Sequence, residues 1–257
     1  MRGTSGTARA QHGDNGLVER VRRVDGSEAT VSVWSLVVPL KPLALAKSRL
    51  ARAAGGARPA LALAFALDTV AAALACPRVA DVTVVTDDPT AGARLAELGA
   101  FVVPDVPAAG LNAALRYGAE RVRERRSADG AEAWTTAGVA ALNGDLPALR
   151  PPELSLVLGE AARAPERAFL ADAAGVGTTL LAAAPGAALS PAFGGTSRAR
   201  HLASGAREIT LPHVPSVRQD VDTPADLRAA RALGLGPRTA VLLCAAPSAA
   251  GQAPGSG

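Results

Sequence analysis

The chain is poor in aromatics, cysteine, histidine and lysine, and it has no long hydrophobic run; each shortage removes a class of function. Phe, Trp and Tyr make up 3% of its 257 residues, so no row of rings is available on which single-stranded bases could stack. Nucleic acid is therefore disfavoured as the partner of a chain whose formal charge is +4. A small anionic ligand suits that charge better, because the arginines of "RYGAERVRERR" (116–126) are interleaved with acids, as on a solvated helix face. The two cysteines, Cys76 and Cys244, are too far apart for a CxxC metal or redox site and read as reduced packing residues. The three histidines, His12, His201 and His213, fall in a tail, a basic helix and a loop. They show neither metal-ligand spacing nor a Ser-His-Asp order, and read as surface or packing residues. A bilayer crossing needs about 20 apolar residues. The run 59–67 is stopped by Asp68, and the uncharged stretch 173–197 is broken by Pro185 and Pro191, so no span is expected. The first 30 residues carry arginines without a continuous apolar stretch behind them, and the expected location is the cytoplasm.

What the chain does have is a hydrophobic content of 49%, enough for one sizeable core. Polar, Gly- and Ser-rich ends frame it. Residues 1–32 read as a mobile tail, 33–236 as the folded domain and 237–257 as a C-terminal extension, mobile at its end. Within the domain, short Val- and Leu-rich runs alternate with Ala-rich amphipathic ones, the pattern of βα units around a mostly parallel sheet. The strand candidates are "VWSLVVPL", "DVTVVTD", "AFVVPD", "GVAALNGD", "AFLADA", "TTLLAAAP" and "VRQDVD". Helices are expected over 46–53, 59–75, 90–98, 111–125, 152–162, 196–203 and 224–233.

An α/β sheet binds its ligands at the carboxyl ends of its strands, so the residues just after each strand are the informative ones. After the first strand come Lys41 and Lys47, the only lysines in a chain whose other cations of this kind are all arginine. They are followed by Ser48 and Arg49. A loop without glycine must hold phosphate with side-chain charge, and a compact ammonium suits a phosphate oxygen as a point charge; the plainer reading is two surface lysines on a turn. "LNGDLP" (142–147) presents Asp145 at a strand tip, either as a turn residue or as a carboxylate for a divalent metal, since hard Mg²⁺ takes one or two carboxylates plus substrate phosphates. In "VRQDVDTPADL", Thr223, Pro224 and Asp226 make a helix start. Asp220 and Asp222 are left over; on a strand they would point the same way, and Asp222 is the second metal candidate. "PAFGGTSRARH" offers Gly194 and Gly195 before Thr196 and Ser197, either an ordinary cap or a second phosphate site at a helix start. "GVGTTL" is no dinucleotide fingerprint, because Leu180 stands where the third glycine belongs.

As a set, "VVPLKPLALAKSRLA", "VVTDDP", "GLNAALRYGA", "LNGDLPALRPPEL", "FLADAAGVGTTLLAA", "PAFGGTSRARH" and "VRQDVDTPADL" resemble, in order and spacing over residues 33–236, the guanylyltransferases of coenzyme F-420 biosynthesis. The resemblance is to the branch using phosphoenolpyruvate, close to that using 2-phospho-L-lactate. It implies a single-domain, Rossmann-like nucleotidyltransferase of the glycosyltransferase-A type that moves GMP from GTP to the phosphate of phosphoenolpyruvate. It implies that Thr179, Gly194 and Ser197 bind phosphoenolpyruvate and that Asp145 and Asp222 hold a divalent metal, taken as Mg²⁺. For the reaction, Lys47, Arg49 and Asp145 are the expected catalytic residues, with Lys41, Asp87 and Asn112 joining Lys47 and Arg49 on the nucleotide. Asp87, Asp88 and Asn112 read equally well as turn and cap residues. Compared with broader nucleotidyltransferases, the first loop keeps only its Ser48-Arg49-Leu50 end and has lost the glycines. The alternatives are another acceptor, 2-phospho-L-lactate or 3-phosphoglycerate, and a non-catalytic nucleotide-binding regulator. Functional coupling to the next transferase of the pathway is also expected.

Overall fold

A computed structural model of the chain describes residues 33–47, 50, 57–128 and 137–245. In chain order these form β1 (Trp34–Pro39), α1 (Arg58–Leu74), β2 (Val79–Val85), α2 (Pro89–Glu97), β3 (Phe101–Val103), α3 (Leu111–Ala128), β4 (Gly138–Leu142), α4 (Pro151–Ala161), β5 (Arg167–Ala171) and β6 (Thr178–Ala183). Then follow α5 (Ser197–Ala203), β7 (Arg207–Glu208), α6 (Pro215–Arg218), α7 (Pro224–Leu233) and α8 (Pro237–Ala245). The strands make one sheet in the order β3-β2-β1-β4-β6-β5-β7. Only β6 runs against its neighbours β4 and β5; every other pairing is parallel. The expected mostly parallel α/β sheet is therefore present.

Both faces of the sheet are covered, which is why β4 and β6 are buried along their whole length, β4 as an unbroken apolar run and β6 with two buried threonines before its apolar residues. Alternation within each strand sorts the side chains. Leu36, Val38, Val82, Val84, Ala140, Leu142, Leu180 and Ala182 face Val70, Leu95, Leu154 and Leu158 from α1, α2 and α4. Val37, Val85, Val139, Ala141, Leu181 and Ala183 face Leu115 and Val122 of α3.

Helix starts follow their local chemistry. Pro89 opens α2 while Asp88 accepts from the Ala91 amide at 3.0 Å. Thr223 and Asp226 form the reciprocal capping box expected of "TPADL". The buried Asp68 of α1 accepts from the amides of Arg238 (3.2 Å) and Thr239 (2.8 Å), so a carboxylate ties the first turn of α8 to the domain.

Four expectations need correction. "VRQDVD" is not a strand: Pro215 starts the single helical turn of α6, and the chain after it is an irregular loop. Asp220 and Asp222 are thus not neighbours on one strand face. Ala46 and Lys47 lie in a turn rather than a helix, and most of the helix expected over 46–53 is outside the described residues. Cys244 is exposed, so only Cys76 is a packing residue. Finally, the arginines at the end of α3 are not a solvated face. Arg125 donates to Asp81 at 2.6 Å and stacks on Phe101, 3.8 Å from the ring centre. Arg126, 7% exposed, donates to Ser35 Oγ (2.6 Å) and to the carbonyls of Ala137 and Gly138 (3.0 Å each), while Ser35 donates to Asp81 at 2.5 Å. These groups join the amino ends of β1, β2 and β4 beneath the core.

Among the described residues no helix is long and apolar enough to cross a membrane.

Candidate functional site

At the other end of the sheet β1 and β4 stop side by side, and the chain leaves each with a polar loop. Gly144 permits this closeness: a Cβ there would stand 3.1 Å from Val38 and 3.4 Å from the Pro39 carbonyl. Asp145 follows at the tip. Its carbonyl accepts from the Val221 amide at 3.1 Å, which draws the loop carrying Asp220 and Asp222 onto the end of β4.

Lys47 completes the cluster from the β1 loop. Its ammonium donates to Asp145 Oδ2 and, at 2.9 Å, to Asp222 Oδ1, bridging carboxylates that lie 77 residues apart in sequence. Its backbone adopts φ 56°, a left-handed conformation that costs a non-glycine residue on the order of 1–3 kcal/mol. Burial alone would lower the ammonium's pKa, but Asp145 and Asp222 outweigh it and leave the group raised and charged. Asp220 feels the opposite balance. Burial first, then the charges of Asp145 and Asp222, push its carboxyl up to about 7.

Negative charge is thus in excess around one cation, and the inner oxygen of Asp145, Oδ1, is buried without a hydrogen-bond partner among the described residues. An unpartnered carboxylate oxygen beside a bridging ammonium keeps lone pairs that can accept from a further donor or cation. No group of three or more His, Cys, Asp and Glu assembles into a metal cage among the described residues. Two carboxylates open to solvent on one side fit a hard divalent cation that completes its shell with substrate phosphate oxygens.

The other expected residues divide. Arg49, with Ser48, lies outside the described residues, while Leu50 beside it is fully buried against Leu61, Phe65 and Val221 and anchors the loop end. Lys41 is exposed and makes no ion pair with a described residue. Asp88 is a structural clamp: besides capping α2 it accepts from the Leu43 amide at 2.9 Å, and these backbone donors, Ala91 first, hold its pKa down. Asp87 is exposed beside it, accepts from the Asp105 amide at 2.8 Å, and borders an open depression of about 400 Å³ lined also by Thr86, Pro89, Val102 and Pro104. Asn112 is held by backbone. Its amide exchanges two hydrogen bonds with the backbone of Phe193, 2.8 Å from its N–H and 3.2 Å to its carbonyl, so it fixes the loop leading to Gly194.

Thr179 is the second residue of the fully buried β6, next to the strand that leads to Asp145, and its carbonyl accepts from the Asn143 amide at 2.9 Å. Its hydroxyl is buried and has no partner among the described residues. Leu181 and Ala183 pack with Phe193, and the register of β6 on β5 shifts beside Thr178 and Thr179. Beyond Phe193 the chain turns through Gly194 (φ 93°) and Gly195 (φ 47°), a left-handed pair that only glycines adopt at little cost, and enters α5 at the buried Ser197. Arg200 donates back to the carbonyls of Phe193 and Gly194, closing the turn.

His201 is the residue that sequence reasoning undervalued. It is fully buried between Phe169 and Phe193, with ring centres 5.5 and 5.2 Å away. The Ala192 amide can only donate, at 3.0 Å, so Nε2 accepts; the proton then sits on Nδ1 and is donated to Thr178 Oγ1 at 3.0 Å. Burial first, then the charges of Arg200 and Arg167, lower its pKa to about 4, so the ring is neutral. A histidine at the fifth residue of a basic helix carries no signal for this; only the packing reveals it.

No protein-family model matches the chain. Curated relatives do. The chain is 64% identical over 210 residues to the phosphoenolpyruvate guanylyltransferase of Streptomyces coelicolor, covering 81% of this chain and 95% of that protein. It is 66% identical over 208 residues to that of Streptomyces avermitilis (80% and 92%), and 57% identical over 225 residues to that of Thermomonospora curvata (88% and 95%). Among solved structures, a nucleotidyl transferase from Methanothermobacter thermautotroptrophicus matches with TM-score 0.53 at 20% identity, covering 78% of this chain and 97% of that one. A 4-diphosphocytidyl-2C-methyl-D-erythritol synthase matches with TM-score 0.51 at 14% identity, covering 79% and 99%. These likenesses speak for the fold: a nucleotidyltransferase-like α/β sheet.

Proposed function

The chain belongs to the phosphoenolpyruvate guanylyltransferase family, and from that premise we propose that it transfers GMP from GTP to the phosphate of phosphoenolpyruvate, in coenzyme F-420 biosynthesis in the cytoplasm. An oxygen of the acceptor phosphate attacks the α-phosphorus of GTP, the bond from that phosphorus to the bridging oxygen of the β-phosphate breaks, and pyrophosphate leaves. The product is enolpyruvoyl-diphospho-guanosine.

The observation that carries this reading is the convergence of Asp145, Asp222 and Lys47 at the carboxyl ends of β1 and β4, with Asp145 Oδ1 unsatisfied. Asp145 and Asp222 would hold Mg²⁺, which when bound supplies positive charge to the phosphates. The acceptor needs no general base, because a phosphate monoester whose second pKa is about 6 is already largely dianionic at neutral pH. That agrees with His201 being buried and already bonded to the Ala192 amide and the Thr178 hydroxyl. Lys47 balances the carboxylates until substrate arrives and then turns its point charge to the triphosphate, where Arg49 and Lys41 join it in offsetting the charge that grows on the leaving pyrophosphate. Asp87 meets the nucleoside at the end of β2, and Asn112 acts by holding the Phe193 loop. Thr179, Gly194 and Ser197 receive the acceptor; the unpartnered Thr179 hydroxyl and the left-handed glycine turn favour an anion there. The following transferase of the pathway is the proposed functional partner, taking up the activated product.

The test supplies GTP and Mg²⁺ with phosphoenolpyruvate, 2-phospho-L-lactate or 3-phosphoglycerate, follows pyrophosphate release and identifies the product by mass. Release with phosphoenolpyruvate is expected. Release with 2-phospho-L-lactate alone reassigns the acceptor, and tight GTP binding without release from any acid makes the protein a regulator.

A further inference from the structure

Two stretches of chain distant in sequence carry the proposed acceptor site: the start of β6 with Thr179, and the 192–197 loop with Gly194 and Ser197. Hydrogen bonds join the loop to its surroundings at three places. Asn112 of α3 holds Phe193, Arg200 of α5 closes the glycine turn, and His201 reaches both stretches at once. Of these, only the last connects the loop to the start of β6; beside it the Arg198 amide, next to Ser197, donates to the Val176 carbonyl at 3.1 Å. Thr178 Oγ1 and the Ala192 amide sit on opposite nitrogens of one imidazole, each at 3.0 Å, so a rigid ring sets their separation. Phe169 from β5 and Phe193 from the loop flank that ring, and it is fully buried. A planar spacer with a donor on one nitrogen and an acceptor on the other can satisfy both groups only as the neutral Nδ1–H form. Thr178 and Ala192 are the immediate chain neighbours of this site, Thr178 preceding Thr179 and Ala192 standing two residues before Gly194.

We propose that His201 is a positioning residue for the acceptor: its neutral ring fixes the spacing between the Thr179 strand and the Gly194–Ser197 turn, and so sets the affinity for the phospho-acid while leaving the nucleotide side of the site unaffected. This rests on the reading of Thr179, Gly194 and Ser197 as acceptor ligands. Unlike those residues, His201 touches no substrate. Its effect passes entirely through two hydrogen bonds, and each can be removed separately.

The experiment measures initial pyrophosphate release by the full chain with Mg²⁺, varying phosphoenolpyruvate at saturating GTP and then GTP at saturating phosphoenolpyruvate, with melting temperatures recorded alongside. His201→Phe keeps a ring between Phe169 and Phe193 but loses both hydrogen bonds. The expected result is a KM for phosphoenolpyruvate raised by about tenfold or more, since small displacements of positioning groups have effects of this order, with the KM for GTP within about twofold of the original. Thr178→Val removes one hydrogen bond without touching the ring and should shift the same KM in the same direction by less. His201→Gln keeps an acceptor for the Ala192 amide and should restore part of the loss. Combining His201→Phe with Thr178→Val should be no worse than His201→Phe alone. If His201→Phe does not fold, Thr178→Val and His201→Gln still read the acceptor KM. Equal rises in both KM values, or a lower melting temperature with neither KM changed, would overturn the proposal. If the unaltered protein releases pyrophosphate with a different phospho-acid, the same KM comparison is made on that acid. No release with any acid overturns the functional reading itself, and the positioning role with it; release with an unchanged KM ratio overturns the positioning role alone.

Discussion

Two charged clusters of similar composition lie at opposite ends of the same sheet, and they are built to opposite rules. At the amino ends of β1, β2 and β4, Arg125, Arg126, Ser35 and Asp81 satisfy one another and the carbonyls of Ala137 and Gly138. At the carboxyl ends, one ammonium serves Asp145 and Asp222, an inner oxygen of Asp145 is left over, and Asp220 is crowded into a raised pKa. In the first arrangement each charge faces an opposite charge or a carbonyl. The second holds surplus negative charge, which a further cation would offset. Like charges crowded around one ammonium are expensive, so their persistence at one end, against oppositely charged groups paired at the other, separates the binding edge of the sheet from its foundation.

The contrast can be broken from either side. Asp145→Asn should lower turnover about a thousandfold, the scale associated with loss of a principal electrostatic group, while leaving the melting temperature the same or higher because like-charge crowding is relieved. Pyrophosphate release and a thermal melt check both halves. At the other end Arg126→Met should cost about 3 to 4 kcal/mol of stability, because it strips partners from a buried network, with turnover of the folded fraction unchanged. Urea unfolding measures it, and a loss of turnover at full folding would contradict the division. His201 gives a pH test. The folded ring has a pKa of about 4 against an ordinary value of 6.5, so above 6.5 it is neutral in both states and costs nothing. As pH falls below 6.5 the unfolded chain takes up the proton first, and stability should drop by about 3 kcal/mol on approaching 4, a slope that His201→Phe removes. The smallest effect is the sharpest chemically. Lys47→Arg keeps the charge and should keep the fold, but exchanging a point charge for a planar fork should cut turnover about tenfold.

The alternation of short apolar and longer Ala-rich runs made the sheet and most of its helices legible in the sequence, because burial on both faces leaves β1, β4 and β6 as short, mostly hydrophobic runs. Capping residues did the same for the starts of α2 and α7. "VRQDVD" misled because its Val and Asp alternation imitates a strand, whereas Pro215 just upstream starts a helical turn. The arginines of α3 misled because charge along a helix says nothing of which way its last turn faces; Arg125 and Arg126 turn inward to the strand ends. Asn112 and His201 were invisible as positioning groups, since their partners are backbone atoms of residues brought near only by folding.

By itself the sequence determined the α/β class, the two lone lysines in the glycine-free stretch 40–54, and the separate acidic motifs "NGD" and "DVD", for these depend on residue type and local spacing. Tertiary structure alone decided that Lys47 stands between Asp145 and Asp222, which of the arginines are foundation rather than surface, and that a histidine joins Thr178 to Ala192. Those are long-range pairings across the ends of one sheet, and no periodicity in the chain encodes the order in which its strands lie side by side.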